Sequence, residues 1–200
     1  MAGKFSEEGA RVVLSGRRRN ALESVARELH GAGRVLPLDV SVSVEVEEAV
    51  EEVMREEGRV DVLINNAGVF PPKAPLDQVS VMDFDRTLAT NLRGPFLMMR
   101  AIIPIMKTAG YGRIINVSAP LKHFPTAAAY CASKCALDSL TKAAALELRG
   151  TDVLINAVEP PMMDTEMHTG GKSPAECVGP VLDLASLAAG GPTGRVVKIE

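Results

Sequence analysis

"VDVLINNAG", residues 60–68, is almost unbroken in apolar side chains from Val60 to Ile64 and then stops at two asparagines, an alanine and a glycine. A run that hides nearly every residue, rather than every second one, reads as a strand covered on both faces. Such strands belong to parallel sheets sandwiched between helices. Five further runs share the character: "RVVLS" (11–15), "RVLPL" (34–38), "GRIINVS" (112–118), "DVLINAV" (152–158) and "GRVVKI" (194–199). Pro37 cannot donate to a ladder, which places the second run at a sheet edge. "DVLIN" occurs at 61–65 and again at 152–156, which two buried strands of like composition explain without an internal repeat.

Helical patterns lie between these runs. Leu22, Val25, Ala26 and Leu29 form one apolar stripe, with Asn20 and Glu23 spaced as a capping box and Gly31 as the stop. Val46, Ala49, Val50, Val53 and Met54 repeat the stripe in the next helix. A long helical stretch from about Val81 to Lys107 contains Pro95 and Pro104, which should bend or interrupt it. Thr126 is placed to cap a helix starting at Ala127, and Gly150 lies just past its end. Strand alternating with helix predicts a three-layer, doubly wound, Rossmann-like α/β fold, which binds ligands outside the carboxyl ends of its strands.

The chain of 200 residues is 46% hydrophobic, enough for one core, and no linker divides it, so residues 1–200 read as one domain. A net charge of −3 without a basic patch argues against a nucleic-acid surface; "RRR" at 17–19 is the exception. No apolar run reaches the ~20 residues a membrane span needs, and the N-terminus has no secretory apolar core. The expected location is cytoplasmic. Cys131 and Cys135 sit at helical spacing as buried thiols, and His30, His123 and His168 have no ligand-spaced partners, so neither a disulfide framework nor a metal site is expected.

"AAAYCASKCAL" (127–137) sets Tyr130 and Lys134 four residues apart, on one face of a helix. A phenol titrates near 10, too high to move protons readily at neutral pH, and a neighbouring ammonium should lower it. The pair alone fits an exposed Lys beside a half-buried Tyr equally well.

Together with "NNAG" (65–68), Asn91 in "ATNLRGPF", "GRIINVSA" (112–119) and "YCASK" (130–134), in that order, the pair closely resembles the short-chain dehydrogenase/reductase family. The resemblance runs from about Gly3 to Met167 and resumes from Ser173 to Ile199. It implies a nicotinamide dinucleotide and reversible hydride transfer between a carbonyl and an alcohol. Tyr130 would exchange the proton with the substrate oxygen, Lys134 would hold the nicotinamide ribose and lower the Tyr pKa, and Asn91 would anchor a relay water. Asn65, Ala67 and Gly68 would shape the turn under the adenosine, and Asp39 with Val40 would meet the adenine. Pro160 and Thr165 match the ends of a segment whose Thr touches the nicotinamide amide. Each has a plainer account: the asparagines tie off a turn, Asp39 begins a loop, Thr165 caps a helix. Arg17 after Gly16 offers a cation for a 2′-phosphate where an acidic residue would grip a 2′-hydroxyl, so NADP(H) is favoured over NAD(H); a solvated basic turn is the other reading.

The chain departs from the family pattern in several places. "MAGKFSEEGARVV" opens where a helix should follow the family's first strand and its glycine-rich pyrophosphate turn, and in the order 3-2-1-4-5-6-7 that strand is central. Strands 11–15 and 60–65 would then pair directly, take in a neighbouring segment, or leave the sheet poorly formed. Ser118 precedes Tyr130 by twelve positions where the family's catalytic Ser most often precedes by thirteen, the place of Ala119. Pro161 stands where the family has Gly. Only "HTGGK" separates Met167 from Ser173, so the substrate pocket, with Phe124, Met162, Met163 and Met167 as an apolar lining, should be open or rebuilt.

Two functions follow from different classes. One is an NADP(H)-dependent reductase of a small carbonyl or alcohol substrate, with a homodimer or homotetramer as the family's usual assembly. The other is a non-catalytic chain that keeps the fold's helical faces for self-association or partner binding.

Overall fold

The computed structural model describes residues 1–29, 33–120, 122–165 and 169–199. All six runs form strands: β1 (Val12–Gly16), β2 (Gly33–Pro37), β3 (Val62–Asn65), β4 (Gly112–Val117), β5 (Val153–Glu159) and β6 (Val196–Lys198). Every pairing is parallel. β2 is an edge strand and Pro37 is its last residue, where the missing donor costs least. The helices are α1 (Ala2–Glu7), α2 (Arg19–Glu28), α3 (Ser43–Glu57), α4 (Val81–Leu88), α5 (Gly94–Ala109), α6 (Ala128–Glu147) and α7 (Val178–Ala185).

Alternating strand residues feed two cores. Leu63, Ile114, Val153 and Ile155 pack with Val46 and Val50 of α3, Leu97, Ile102 and Met106 of α5 and Ala145 of α6. Ile115, Val117 and Val158 face the other way, against Val181, Leu184 and Ala185 of α7, with Phe5 of α1 at the margin. Helices on both faces of a parallel sheet make this a three-layer, Rossmann-like α/β fold.

The sheet is divided. β1 pairs with β2, and β3, β4, β5 and β6 pair in that order, but β1 and β3 do not pair with each other. Among the described residues no strand lies between them. The division shows in burial: β4 and β5 are buried throughout, whereas β1 has no buried residue and β3 alternates. Neither α1 nor α2 buries any residue within its span. Of the three ways to close the order, the last one holds.

Several local expectations change. Residues 81–109 break not at a proline but at a π-helical turn, Ala89–Arg93, between α4 and α5, while Pro104 is accommodated inside α5. Asn20 lies within α2, whose N-cap is Arg18 without a side-chain cap, so no capping box forms. Ala127, not Thr126, precedes α6; Thr126 instead turns the chain with φ +65. The proposed stop at Gly31 lies outside the described residues, as do His30, Met167 and His168.

Candidate active site

The carboxyl ends of β1, β3, β4 and β5 open into one cleft of about 1570 Å³. Its walls bring together nearly every residue singled out from the sequence. Arg17, Asp39 and Val40 come from the β1–β2 side; Asn65, Ala67 and Gly68 follow β3; Ser118 follows β4; Tyr130 and Lys134 come from α6; Pro160 and Thr165 follow β5. Asn91 is fully buried rather than lining the cleft.

The π turn puts Asn91 where its amide brackets one residue. Its Oδ1 accepts from the Val69 N–H at 2.8 Å, and its Nδ2 donates to the Val69 carbonyl at 2.9 Å and to Ser133 Oγ at 3.1 Å. Ser133 Oγ in turn donates to the Tyr130 carbonyl at 2.7 Å. The loop after β3 and the first turns of α6 are thus tied through one side chain. A π-helical insertion is a known way to re-aim a residue at a functional site.

Lys134 is 5% exposed, and its Nζ donates to the carbonyl of Val117, the last residue of β4, at 2.6 Å. Burial pushes its pKa down to about 8, against the opposing pull of the Asp138 carboxylate one turn on. The ammonium stands 5.8 Å from the Tyr130 ring centroid. Tyr130 packs its ring on Phe70 with centroids 4.6 Å apart. Burial, and then the neighbouring Cys131, push its phenol up to about 12. The expected lowering of the phenol pKa by Lys134 does not occur in the free chain, where burial sets the direction. At neutral pH the pair is a protonated phenol beside a marginally held ammonium.

Ser118 is fixed by its N–H, which donates to the Val158 carbonyl at 2.8 Å, yet its buried Oγ has no hydrogen-bond partner. A buried hydroxyl without a partner is costly unless a ligand atom completes it. Ala119, at the family's more usual serine position, is also buried beside it. A β-carbon on Gly68 would come within 3.5 Å of Asn91 Oδ1 and 4.0 Å of Lys134 Nζ, so the bare glycine leaves open the space beside that ammonium.

Asp39 is held by an Asx-type turn: Oδ1 accepts from the Ser41 N–H at 2.9 Å and the Ser41 hydroxyl at 2.7 Å. Burial pushes its carboxyl up, but these bonds and the nearby Arg17 charge prevail and hold it below the usual range. Arg17 directly follows β1, and the amides that open α2 have no side-chain cap.

Sequence reading passed over three features. Asn65 Nδ2 donates to Asn116 Oδ1 at 2.8 Å, and Asn116 Nδ2 to Thr141 Oγ1 at 2.8 Å, a buried chain from β3 through β4 to α6. Lys122 bridges Asp138, at 2.7 Å, and Glu159. In the third, Gly171, with φ +148, passes so close to Met162 that a β-carbon would meet its carbonyl oxygen at 2.3 Å. This turn brings Met162 and Met163 to the cleft wall.

A model of the short chain dehydrogenase family matches residues 1–175. The chain belongs to the short-chain dehydrogenase/reductase family. Relatives within it include the D-threitol dehydrogenase of Mycolicibacterium smegmatis, 36% identical over 172 residues, which are 84% of this chain and 66% of that protein. The 3-oxoacyl-[acyl-carrier-protein] reductase FabG of Thermotoga maritima is 35% identical over 82% of this chain and 68% of its own. Among solved structures, the 3-ketoacyl-(acyl-carrier-protein) reductase of Brucella melitensis complexed with NADH superposes with a TM-score of 0.93 at 29% identity, covering 99% of this chain and 89% of that one. This family member thus spans about two thirds of the length of the curated relatives named here. Among its described residues no helix is long and apolar enough to cross a membrane, and no cluster of side chains could hold a metal ion.

Proposed function

We propose that this chain is a nicotinamide-dependent oxidoreductase acting on a small carbonyl or alcohol substrate, with NADP(H) preferred to NAD(H). The observation that carries the reading is the convergence in one cleft of the Tyr130 phenol, the Lys134 ammonium and the partnerless Ser118 hydroxyl. The cleft fits a dinucleotide: Gly68 leaves room beside Lys134, Asp39 stands charged on the far wall, and Arg17 lines the same end directly after β1. A bound nicotinamide would supply or accept the hydride.

The chain's own groups do the rest. Tyr130, kept protonated by burial, donates its proton to a carbonyl oxygen during reduction and takes it back from the alcohol in reverse. Ser118 Oγ completes its hydrogen bonding on the same oxygen. Lys134 spends one N–H on Val117 and keeps two for the ribose. Asn91 works at one remove, holding the Val69 backbone and the start of α6 in place. Met162, Met163 and Phe124 give the substrate end an apolar, adaptable wall.

The preference for a 2′-phosphate rests on Arg17, which lines the cleft directly after β1, where an acidic residue would grip a 2′-hydroxyl. A homodimer or homotetramer is the assembly we propose with this reading. The divided sheet favours a second reading, a non-catalytic chain retained for self-association.

Calorimetric titration with NADPH and, separately, NADH decides between them, followed by turnover of small ketones by the wild type and Tyr130→Phe. The oxidoreductase reading expects saturable binding, tighter for NADPH, with the preference lost in Arg17→Ala and turnover lost in Tyr130→Phe. No binding of either cofactor at millimolar concentration would refute it and leave the non-catalytic reading.

A further inference from the structure

Lys122 stands on the loop between β4 and α6, and its backbone and side chain are both held there. Its N–H donates to the Pro120 carbonyl at 3.0 Å, and its own carbonyl accepts from Cys135 Sγ of α6 at 3.7 Å. Its ammonium pairs with Asp138 Oδ2 of α6 at 2.7 Å and with Glu159 Oε2 at the end of β5. The Asp138 and Glu159 side chains are each 10% exposed and that of Lys122 25%, so water and salt screen them little. Burial pulls the Lys122 pKa down, but the bonds to the two carboxylates prevail and hold it above the ordinary value. A second ammonium, Lys198, reaches Glu159 only at 3.9 Å and is largely exposed.

One buried ammonium is therefore shared by two buried carboxylates, and Asp138 is left incompletely paired. Its Oδ2 meets Lys122, while its buried Oδ1 has no hydrogen-bond partner. Asp138 also follows Lys134 by four residues, on the same face of α6. The Lys134 ammonium donates to the Val117 carbonyl rather than to this carboxylate, but charges one helical turn apart and out of water still interact. Among the described residues, the other groups around Lys134 carry no charge. They are the Val117 carbonyl of β4, Gly68 after β3 with Asn91 beside it, and the Tyr130 phenol, which burial keeps protonated.

We infer that Asp138 is a positioning residue that keeps the Lys134 side chain charged, and that Glu159, by sharing Lys122, leaves part of the Asp138 charge free to do so. Paired with Lys122 alone, the Asp138 carboxylate would be cancelled by the ammonium at its side. With Glu159 drawing on the same ammonium, the buried part of the cluster is net negative and its field reaches Lys134. Burial lowers the Lys134 pKa to about 8 against the pull of Asp138, so without that carboxylate the ammonium would release its proton in the neutral range. What the charge serves rests on the oxidoreductase reading, in which Lys134 holds a ribose; its dependence on Asp138 does not.

The test is the titration of Lys134 in the cofactor-free full chain, with isotope-labelled lysine followed by NMR from about pH 6 to about pH 10. The Lys134 resonance is the one missing from Lys134→Met, and exposed lysines titrate well above it, at about 10.4. Asp138→Asn should lower the titration by about one unit and Glu159→Gln by less. Lys122→Met should raise it, and Lys122→Arg should leave it in place. A cluster that only braces the loop gives another pattern: losing Asp138, Glu159 or Lys122 would each loosen the packing, admit water and move Lys134 upward, toward its ordinary value. The inference is overturned if Asp138→Asn and Glu159→Gln raise the titration or leave it unchanged. Should Asp138→Asn fail to fold by far-UV circular dichroism, Glu159→Gln decides by the same sign. Because no dinucleotide is added, a chain that binds no cofactor still sustains or refutes the inference, which keeps the two failures apart.

Discussion

Lys134→Met should stabilise the protein at neutral pH, and the gain should disappear as pH rises. Methionine keeps an unbranched side chain in the same buried place but carries no charge. Burial lowers the Lys134 pKa from 10.5 to about 8, so below pH 8 the folded protein carries an ammonium that the unfolded chain holds more cheaply. At about 1.4 kcal/mol per pH unit, that penalty is about 3 kcal/mol at pH 7. The sign follows from the protons: between about 8 and 10.5 the unfolded chain binds one that the folded protein has released, so wild-type stability rises with pH in that window. By pH 9.5 the remaining penalty is about 1 kcal/mol. Losing the bond from Nζ to the Val117 carbonyl takes back about 1 kcal/mol at any pH. The variant should therefore exceed the wild type by about 2 kcal/mol at pH 7 and by about nothing at pH 9.5. Tyr130, pushed up to about 12, stays protonated throughout this range in both proteins. The assay is urea unfolding by far-UV circular dichroism, since the chain has no Trp. With a slope near 2 kcal/mol/M, the midpoint difference should shrink from about 1 M to near zero. A midpoint offset equal at the two pH values would refute the reasoning, because it would mean that Lys134 is not held by burial near its titration point.

Asn91→Ala removes both hydrogen bonds to the Val69 backbone and leaves buried groups unpaired, so it should cost about 2–4 kcal/mol in urea unfolding. Gly94→Ala places a β-carbon 2.7 Å from Val40 Cγ2 at the start of α5. Valine cannot swing aside freely, so the overpacking should outweigh the better helix propensity and destabilise by about 1–2 kcal/mol, read as a fall in urea midpoint.

Much of the fold could be read from the sequence because its signals are local. Runs such as "GRIINVS" and "DVLINAV" are apolar on both faces, and β4 and β5 are buried end to end. Pro37 marked an edge by the donor it lacks, and β2 is that edge. Cap positions failed for the opposite reason. Asn20 and Thr126 have the right chemistry, but where a helix starts is set by how the preceding loop enters, and Arg18 and Ala127 stand there instead. The π turn was out of reach, since prolines announce themselves in sequence whereas one extra residue in a turn does not. Tyr130, Lys134 and Ser118 were legible as a motif, but their protonation was not. A spacing of four says that phenol and ammonium share a face; only the three-dimensional packing says that both are buried enough for burial to move their titration, the phenol up and the ammonium down. Lys122, Asp138 and Glu159 come from three elements, and no local pattern joins them.

The division of the sheet separates two functions that a continuous sheet would bind together. Tyr130, Lys134, Ser118 and Asn91 are all held within the four-stranded half: Lys134 by the end of β4, Ser118 by β5, and Asn91 by the loop after β3. Their mutual geometry needs nothing from β1 or β2. Arg17, Asp39 and Val40 stand on the two-stranded half, and helix contacts, rather than a sheet ladder, link that half to the rest. Val40 packs on Gly94, the Arg93 guanidinium donates to the Ser41 carbonyl, and Arg100 pairs with Glu47 between α5 and α3. Side-chain contacts of this kind are individually worth less than a buried ladder and yield more readily. The distance between the nicotinamide end and the adenosine end of the cleft is therefore set by α3 and α5.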